Sequence, residues 1–146
     1  MQRILILLLT LTLFVSCRNT TVEKETYPNG NIKSEKTYKT IEGKKELVKE
    51  VHYYENGKKY IEGNYEHNKR SGYWASWYED GQLWSEGDFK DGVSEGKRTV
   101  YHENGKLYYE GVFKMGERMG VWKFYDESGK LLNEIDYDKI EGNKAQ

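Results

Sequence analysis

Glu62, Glu86, Glu110 and Glu134 stand 24 residues apart. Carboxylates at a set separation are the groups that hydrolyse glycosidic bonds, but a residue demanded by every copy of a repeat serves the repeat. His52, His67 and His102 fall at unlike offsets and have no Cys or His partner at ligand spacing, so they read as surface histidines with no metal site. Ser71, Ser76 and Ser85 lack the Gly-x-Ser-x-Gly setting of a nucleophile, and Ser94, in Gly92-Val93-Ser94-Glu95-Gly96, stands inside the hairpin repeat and not at the strand-to-helix turn that setting requires. The Glu-Gly steps lie inside strands and not ahead of helices, which excludes a phosphate-binding loop. The sequence therefore predicts a chain without catalytic residues, cofactor or metal.

The glutamates belong to a longer phrase. Turn glycines Gly57, Gly81, Gly105 and Gly129 are spaced by 24 residues, with Tyr53, Trp77, Tyr101 and Tyr125 four before them and Tyr65, Phe89, Phe113 and Tyr137 eight after. A weaker copy surrounds Gly30, with Glu35 and Tyr38 at matching offsets but 27 residues from Gly57. A fixed period of this size means one supersecondary unit stacked on copies of itself, each too small to bury its own apolar face. Asn56-Gly57, Asp80-Gly81 and Asn104-Gly105 suit the two positive-φ positions of a type I′ turn, which makes the unit a β-hairpin; Ser128-Gly129 suits it less well. The predicted fold is all-β, an elongated antiparallel meander of stacked hairpins with a strand edge at each end.

A two-residue turn fixes the register, and opposed residues share a face. This reading sets Tyr53 opposite Tyr60, Trp77 opposite Trp84 and Tyr101 opposite Tyr108, with Tyr125 facing Leu132 and Glu-Lys pairs nearer the turns. The other face takes Leu83, Leu107, Leu131, Phe89, Phe113, Tyr137, Trp74, Trp122 and Phe124, and is the predicted core. Trp74 falls opposite Gly87 and Phe89 opposite Gly72, so that rings would cover strand glycines. Asn68, Gly92 and Gly116 punctuate the links between hairpins, where positive φ is useful. The stretch 39–48 is expected as a longer loop or distorted hairpin around Gly43.

Composition agrees with a sheet built on rings: the chain is 14% aromatic with one Pro, and its net charge of −1 argues against nucleic acid as a partner. Residues 1–16 have a different build. Arg3 precedes an apolar run from Ile4 to Val15, which is shorter than the ~20 residues of a membrane-spanning helix and is read as a signal peptide. Cys17 is the sole cysteine and cannot form an internal disulfide. Phe14-Val15-Ser16-Cys17 resembles a bacterial lipoprotein cleavage box. That resemblance implies a mature chain beginning at Cys17, acylated there with fatty chains such as palmitate, and held in the cell envelope at the outer membrane. Residues 17–26 are expected as a polar tether, 27–137 as the repeat domain and 138–146 as a polar tail that shields the last strand.

Tyr-Glu-Asn-Gly-Lys, then Glu-Gly-x-Tyr/Phe, with Gly72-Tyr73-Trp74 and Gly120-Val121-Trp122 opening further copies, resembles the MORN repeat, and in particular the variant found in bacterial proteins labelled YwqK-type antitoxins. One copy reads Gly96-Lys97-Arg98 in place of Gly-x-Trp. The resemblance implies a repeat solenoid that binds a partner, and the antitoxin label would make that partner a toxin or effector. From the residues themselves, the candidate partner-binding set is Tyr53, Tyr60, Trp77, Trp84, Tyr101 and Tyr108 with Glu62, Glu86 and Glu110: rings interleaved with charge on an extended sheet. The alternatives are that these rings bury one another, or that the chain is a structural envelope lipoprotein that binds glycan or self-associates through its edges.

Overall fold

The computed structural model describes residues 19–142. Ten strands follow one another: β1 (Thr20–Thr26), β2 (Ile32–Ile41), β3 (Lys44–Tyr53), β4 (Lys59–Glu66), β5 (Lys69–Trp77), β6 (Leu83–Lys90), β7 (Val93–Tyr101), β8 (Leu107–Lys114), β9 (Glu117–Tyr125) and β10 (Leu131–Asp136), with a short α1 (Tyr137–Gly142) after them. They form a single antiparallel sheet in the order β1 to β10, so the predicted meander is the fold and β1 and β10 are its edges. The expected signal peptide, Cys17 and the last residues of the expected tail lie outside the described residues.

Two expectations are corrected. Thr20–Thr26 is not a tether but β1, paired with β2 from Thr20 opposite Lys39 onward; its threonines and charged residues suit an exposed edge strand. The region 39–48 is a regular hairpin closed by Glu42 and Gly43, both at positive φ. At the other end the tail starts as α1 and packs on β9, where the Asp138 carboxylate accepts the Gly120 N–H at 2.8 Å.

The two sides of the meander use different turns. Glu42-Gly43, His67-Asn68, Asp91-Gly92 and Met115-Gly116 have positive φ at both positions, as a type I′ turn requires. The Asn-Gly and Asp-Gly turns are not of this type. Around Gly57 only the glycine has positive φ, and the Gly57 N–H donates to Tyr54 O at 2.9 Å while the Tyr54 N–H donates to Lys58 O at 2.8 Å. This is a type I turn ended by a left-handed glycine bulge, a three-residue loop. The same pair of bonds closes the turns at Gly30, Gly81, Gly105 and Gly129. Asn56 accepts the Lys58 N–H through its side chain at 2.9 Å. Where Ser128 replaces Asn, Asp126 does this from two residues earlier, bonding the N–H of Lys130 at 2.9 Å.

The extra loop residue shifts the register by one at the tip. Tyr53, Trp77 and Tyr101 therefore pair with Lys59, Leu83 and Leu107, and not with Tyr60, Trp84 and Tyr108. Those three rings occupy bulges that restore the register, and Val51, Ala75 and Thr99 then meet Glu62, Glu86 and Glu110. Beyond the bulge the expected pairs hold: Trp74 is opposite Gly87 and Phe89 opposite Gly72. The bulge also corrects the leucines, since Leu83 and Leu107 share the face of Trp77 and Tyr101 and do not join the core.

With no second layer, apolar burial is sparse. Val51, Trp74, Ala75, Val100 and Trp122 are the buried apolar residues among those described. Trp74 and Trp122 lie on the face predicted as core, where Trp74 meets Tyr65 and Phe89 at 5.4 and 5.8 Å, and Trp122 meets Phe113 and Tyr137 at 4.9 and 5.8 Å. Each indole lies on the glycine of the preceding strand. A Cβ on Gly63 would stand 2.1 Å from Trp74, and one on Gly111 would stand 2.2 Å from Trp122. Trp74 thus covers Gly63, not Gly87 as expected; the group over Gly87 is Arg98, whose Nε would be 2.9 Å from an added Cβ. In the copy without the tryptophan, then, a guanidinium takes the indole's place and lies over Phe89 at 5.1 Å. Gly111→Ala is expected to displace Trp122 and cost about 1–3 kcal/mol, the usual size of overpacking, read as a lower urea midpoint with an unchanged slope.

Candidate functional site

The nine candidate residues separate into two rows. Tyr53, Trp77 and Tyr101 share a face with Glu62, Glu86 and Glu110, because they lie two residues along from Val51, Ala75 and Thr99, which pair with those glutamates. There the ring of one unit reaches the glutamate of the unit before. Tyr53 donates its hydroxyl to Glu35 at 2.9 Å, Tyr101 to Glu86 at 3.0 Å and Tyr125 to Glu110 at 3.4 Å. Trp77 has no hydroxyl, and at this joint Lys59 bonds Glu62 at 2.5 Å while its ammonium lies 5.6 Å from the Trp77 ring centre. Lysines complete the row: Lys24 with Glu35 at 2.5 Å, Lys97 with Glu110 at 2.9 Å and Lys123 with Glu134 at 3.4 Å.

These contacts set the acidities. The Lys24 ammonium and then the Tyr53 hydroxyl hold Glu35 below the ordinary carboxyl range, Lys59 does the same for Glu62, and Lys97 for Glu110. Partial burial, followed by the neighbouring carboxylate, pushes Tyr53 up to about 12. Burial and Glu86 push Tyr73 up to about 12 as well, and they raise Tyr101. Such an arrangement joins hairpins to one another. It makes Glu110, with Tyr125 and Lys97, a link of the stack, while Glu62 is held by Lys49 and Lys59 without a tyrosine.

The second row is the bulged one. Tyr60, Trp84 and Tyr108 are 40%, 39% and 45% exposed, and Leu132 at the next equivalent position is 64% exposed. Each ring leans on the residue one step beyond its expected partner: Tyr60 on Tyr54 at 5.1 Å, Trp84 on Tyr78 at 6.1 Å and Tyr108 on His102 at 4.6 Å between ring centres. Copies are two strands apart, which sets the rings roughly 10 Å from one another across the strands. Between Trp84 and Tyr108 opens a hollow of about 590 Å³, lined also by Tyr78, His102, Glu103, Asn104 and Glu127.

The residues that support this row were missing from the candidate set. Tyr27, Tyr54 and Tyr78, three before each turn glycine, donate their hydroxyls to the backbone carbonyls of Tyr53, Trp77 and Tyr101 at 2.8, 2.8 and 2.7 Å, and His102 places Nε2 3.0 Å from Tyr125 O. Asn29, Asn56 and Asn104 add side-chain amide bonds to the carbonyls of Glu55, Glu79 and Glu127 at 3.1, 3.0 and 2.8 Å. Each turn is thereby tied to the next. The recurrence of Tyr at this offset is visible in the sequence and was the available signal.

The remaining histidines are scattered: His52 Nε2 lies 2.9 Å from Glu50, and His67 projects into solvent at a turn. Among the described residues no three His, Cys, Asp or Glu are grouped to hold a metal, and no helix is long and apolar enough to cross a membrane.

Hairpin units of similar length, tied turn to turn and lined by periodic rings, define a repeat protein of the open-sheet type. Five segments, 20–40, 48–67, 70–91, 94–115 and 120–139, match the family model for the MORN repeat variant, and the chain belongs to that family. Each segment is centred on a hairpin with a glycine-bulge turn, beginning with β1 and β2. Repeats of this kind commonly mediate binding to proteins or membranes. No curated protein and no solved structure was found to match the chain.

The acidities predict a stability plateau. Glu35, Glu62 and Glu110 titrate below their ordinary 4.5 when folded, so the stability they add is present above that value and is lost as pH falls through the lowered ones. Tyr53 and Tyr73, raised from 10.0 to about 12, add stability below pH 10 that is lost as pH rises toward 12. Thermal unfolding followed by circular dichroism should show both limbs, and Tyr53→Phe should flatten the alkaline one.

Proposed function

We propose that this chain is a non-catalytic protein-binding module of the bacterial cell envelope, held at the membrane, most simply the outer membrane, through lipid on Cys17. The observation that carries the binding reading is the bulged row. Tyr60, Trp84 and Tyr108 make no strand pair at the tip, stay 40%, 39% and 45% exposed, and recur once per unit. Exposed rings at fixed spacing beside a polar hollow are the composition of a protein-recognition surface, since large rigid side chains give contact area at small entropic cost. The likeness of the repeat to proteins labelled YwqK-type antitoxins supports a toxin or effector as the partner, with an antitoxin or immunity role for this chain. The anchor rests on the cleavage-box resemblance alone.

A structural envelope role is the second reading, favoured by the open edges. Every residue of β1 is exposed, and an exposed edge is a template for another strand. On that reading the chain assembles with itself or lies along glycan.

Affinity capture with the full chain, Cys17 intact, distinguishes the two when run beside Trp84→Ala/Tyr108→Ala. The double variant is expected to keep the wild-type circular dichroism and thermal midpoint, and to lose a stoichiometric partner protein by more than tenfold. Equal recovery of one partner by both forms would remove the ring row from the interface. Recovery of glycan or of the chain itself in place of a partner would favour the structural role.

A further inference from the structure

The glutamate row has one irregular member. Glu35, Glu62, Glu110 and Glu134 each lie against a lysine of this chain. Those lysines come from three positions relative to the turn glycine of their own copy: eight before (Lys49, Lys97), six before (Lys24, Lys123) or two after (Lys59). In the copy of Glu86 the same positions hold Tyr73, Ala75 and Leu83. Among the described residues no salt bridge to Glu86 is formed.

The carboxylate is nonetheless held in place. Tyr73 donates to one oxygen at 2.7 Å and Tyr101 to the other at 3.0 Å, so both oxygens are fixed between two rings. A carboxylate has roughly four acceptor sites, which leaves about two unfilled. The group opens on a concavity of about 420 Å³ on the same sheet face, with Asp88, Lys97 and Thr99 on its walls. Lys97 is committed elsewhere, to Glu110 at 2.9 Å.

We propose that this concavity receives the ammonium of a lysine side chain from a protein partner. The chain itself displays the chemistry in four of its five copies, where a lysine occupies the place left vacant beside Glu86. The bound ammonium would meet a fixed carboxylate while the faces of Tyr73 and Tyr101 offer cation–π attraction and apolar cover for the lysine stem. This site lies on the opposite row from the bulged rings, so it stands or falls separately from the surface assigned above.

Tyr73→Lys is the informative variant. Tyr73 is 50% exposed and equivalent to Lys49 and Lys97, so a lysine there should restore the repeat's own ion pair and fill the site without disturbing the fold. The probe is Nα-acetyl-lysine methylamide, with the norleucine analogue as its uncharged counterpart, titrated into the full chain in detergent while the Tyr73 and Tyr101 ring resonances are followed by NMR. The lysine compound should shift those resonances saturably, the norleucine compound should not, and both Tyr73→Lys and Glu86→Gln should weaken binding at least tenfold with circular dichroism unchanged. If one variant does not fold, the other decides. Absence of a saturable shift in the wild type, equal affinity in the folded variants, or a response to spermidine without one to the lysine compound would each overturn the proposal.

Discussion

Trp74 lies flat on Gly63 and Trp122 on Gly111, at distances that leave no room for a β-carbon on either glycine. A sheet one layer thick has no facing layer to bury its backbone, and an indole laid over a bare strand does locally what a second sheet does in a sandwich. The neighbouring rings then pack edge-on against the indole, Phe113 at 4.9 Å from Trp122 being the tightest. Guanidinium groups close the cluster from outside, with Arg70 4.2 Å from the Trp74 ring and Arg118 4.6 Å from Trp122. Where the tryptophan is absent, Arg98 lies over Gly87 and joins the aromatics on either side. The clusters thus run along the face from copy to copy.

On that support the turns decide which rings remain available. The type I turn with its glycine bulge advances the register by one residue, and the strand bulge that follows brings it back. One ring per copy is left outside the ladder, at Tyr60, Trp84 and Tyr108, while Tyr53, Trp77 and Tyr101 are drawn into the contacts between copies. The stacked turns, bonded by Tyr54 and Tyr78 to the next backbone, keep the free rings on a fixed spacing. Exposed rings and architectural rings are therefore divided between side chains that look alike in the sequence.

The meander, its period and most of its register were legible because glycine and aromatic offsets repeat and because the pairing beyond the bulge obeys one rule. Trp74 opposite Gly87 and Phe89 opposite Gly72 follow from it. The tips were misread because Asn-Gly serves two turn geometries, and a single added loop residue exchanges the partners of Tyr60, Trp84 and Tyr108 and moves Leu83 and Leu107 across the sheet. The strand Thr20–Thr26 was missed since an edge strand carries no apolar alternation to reveal it. Glu62, Glu86 and Glu110 were correctly placed beside rings, but the sequence alone does not distinguish a carboxylate matched by lysine from one held by two hydroxyls, because that depends on which strand neighbours which.

Rings over glycines hold the sheet and rings in bulges do not. Urea unfolding of Trp122→Leu beside Trp84→Leu tests it within one residue type. Trp122 has 0% exposure and Trp84 39%, so the first substitution should cost several kcal/mol, toward the ~3–5 kcal/mol of large aromatic truncations, and the second less than ~0.5 kcal/mol, as expected for a surface position. Equal losses, or a larger loss at Trp84, would place the bulged row in the core and overturn this division of the rings.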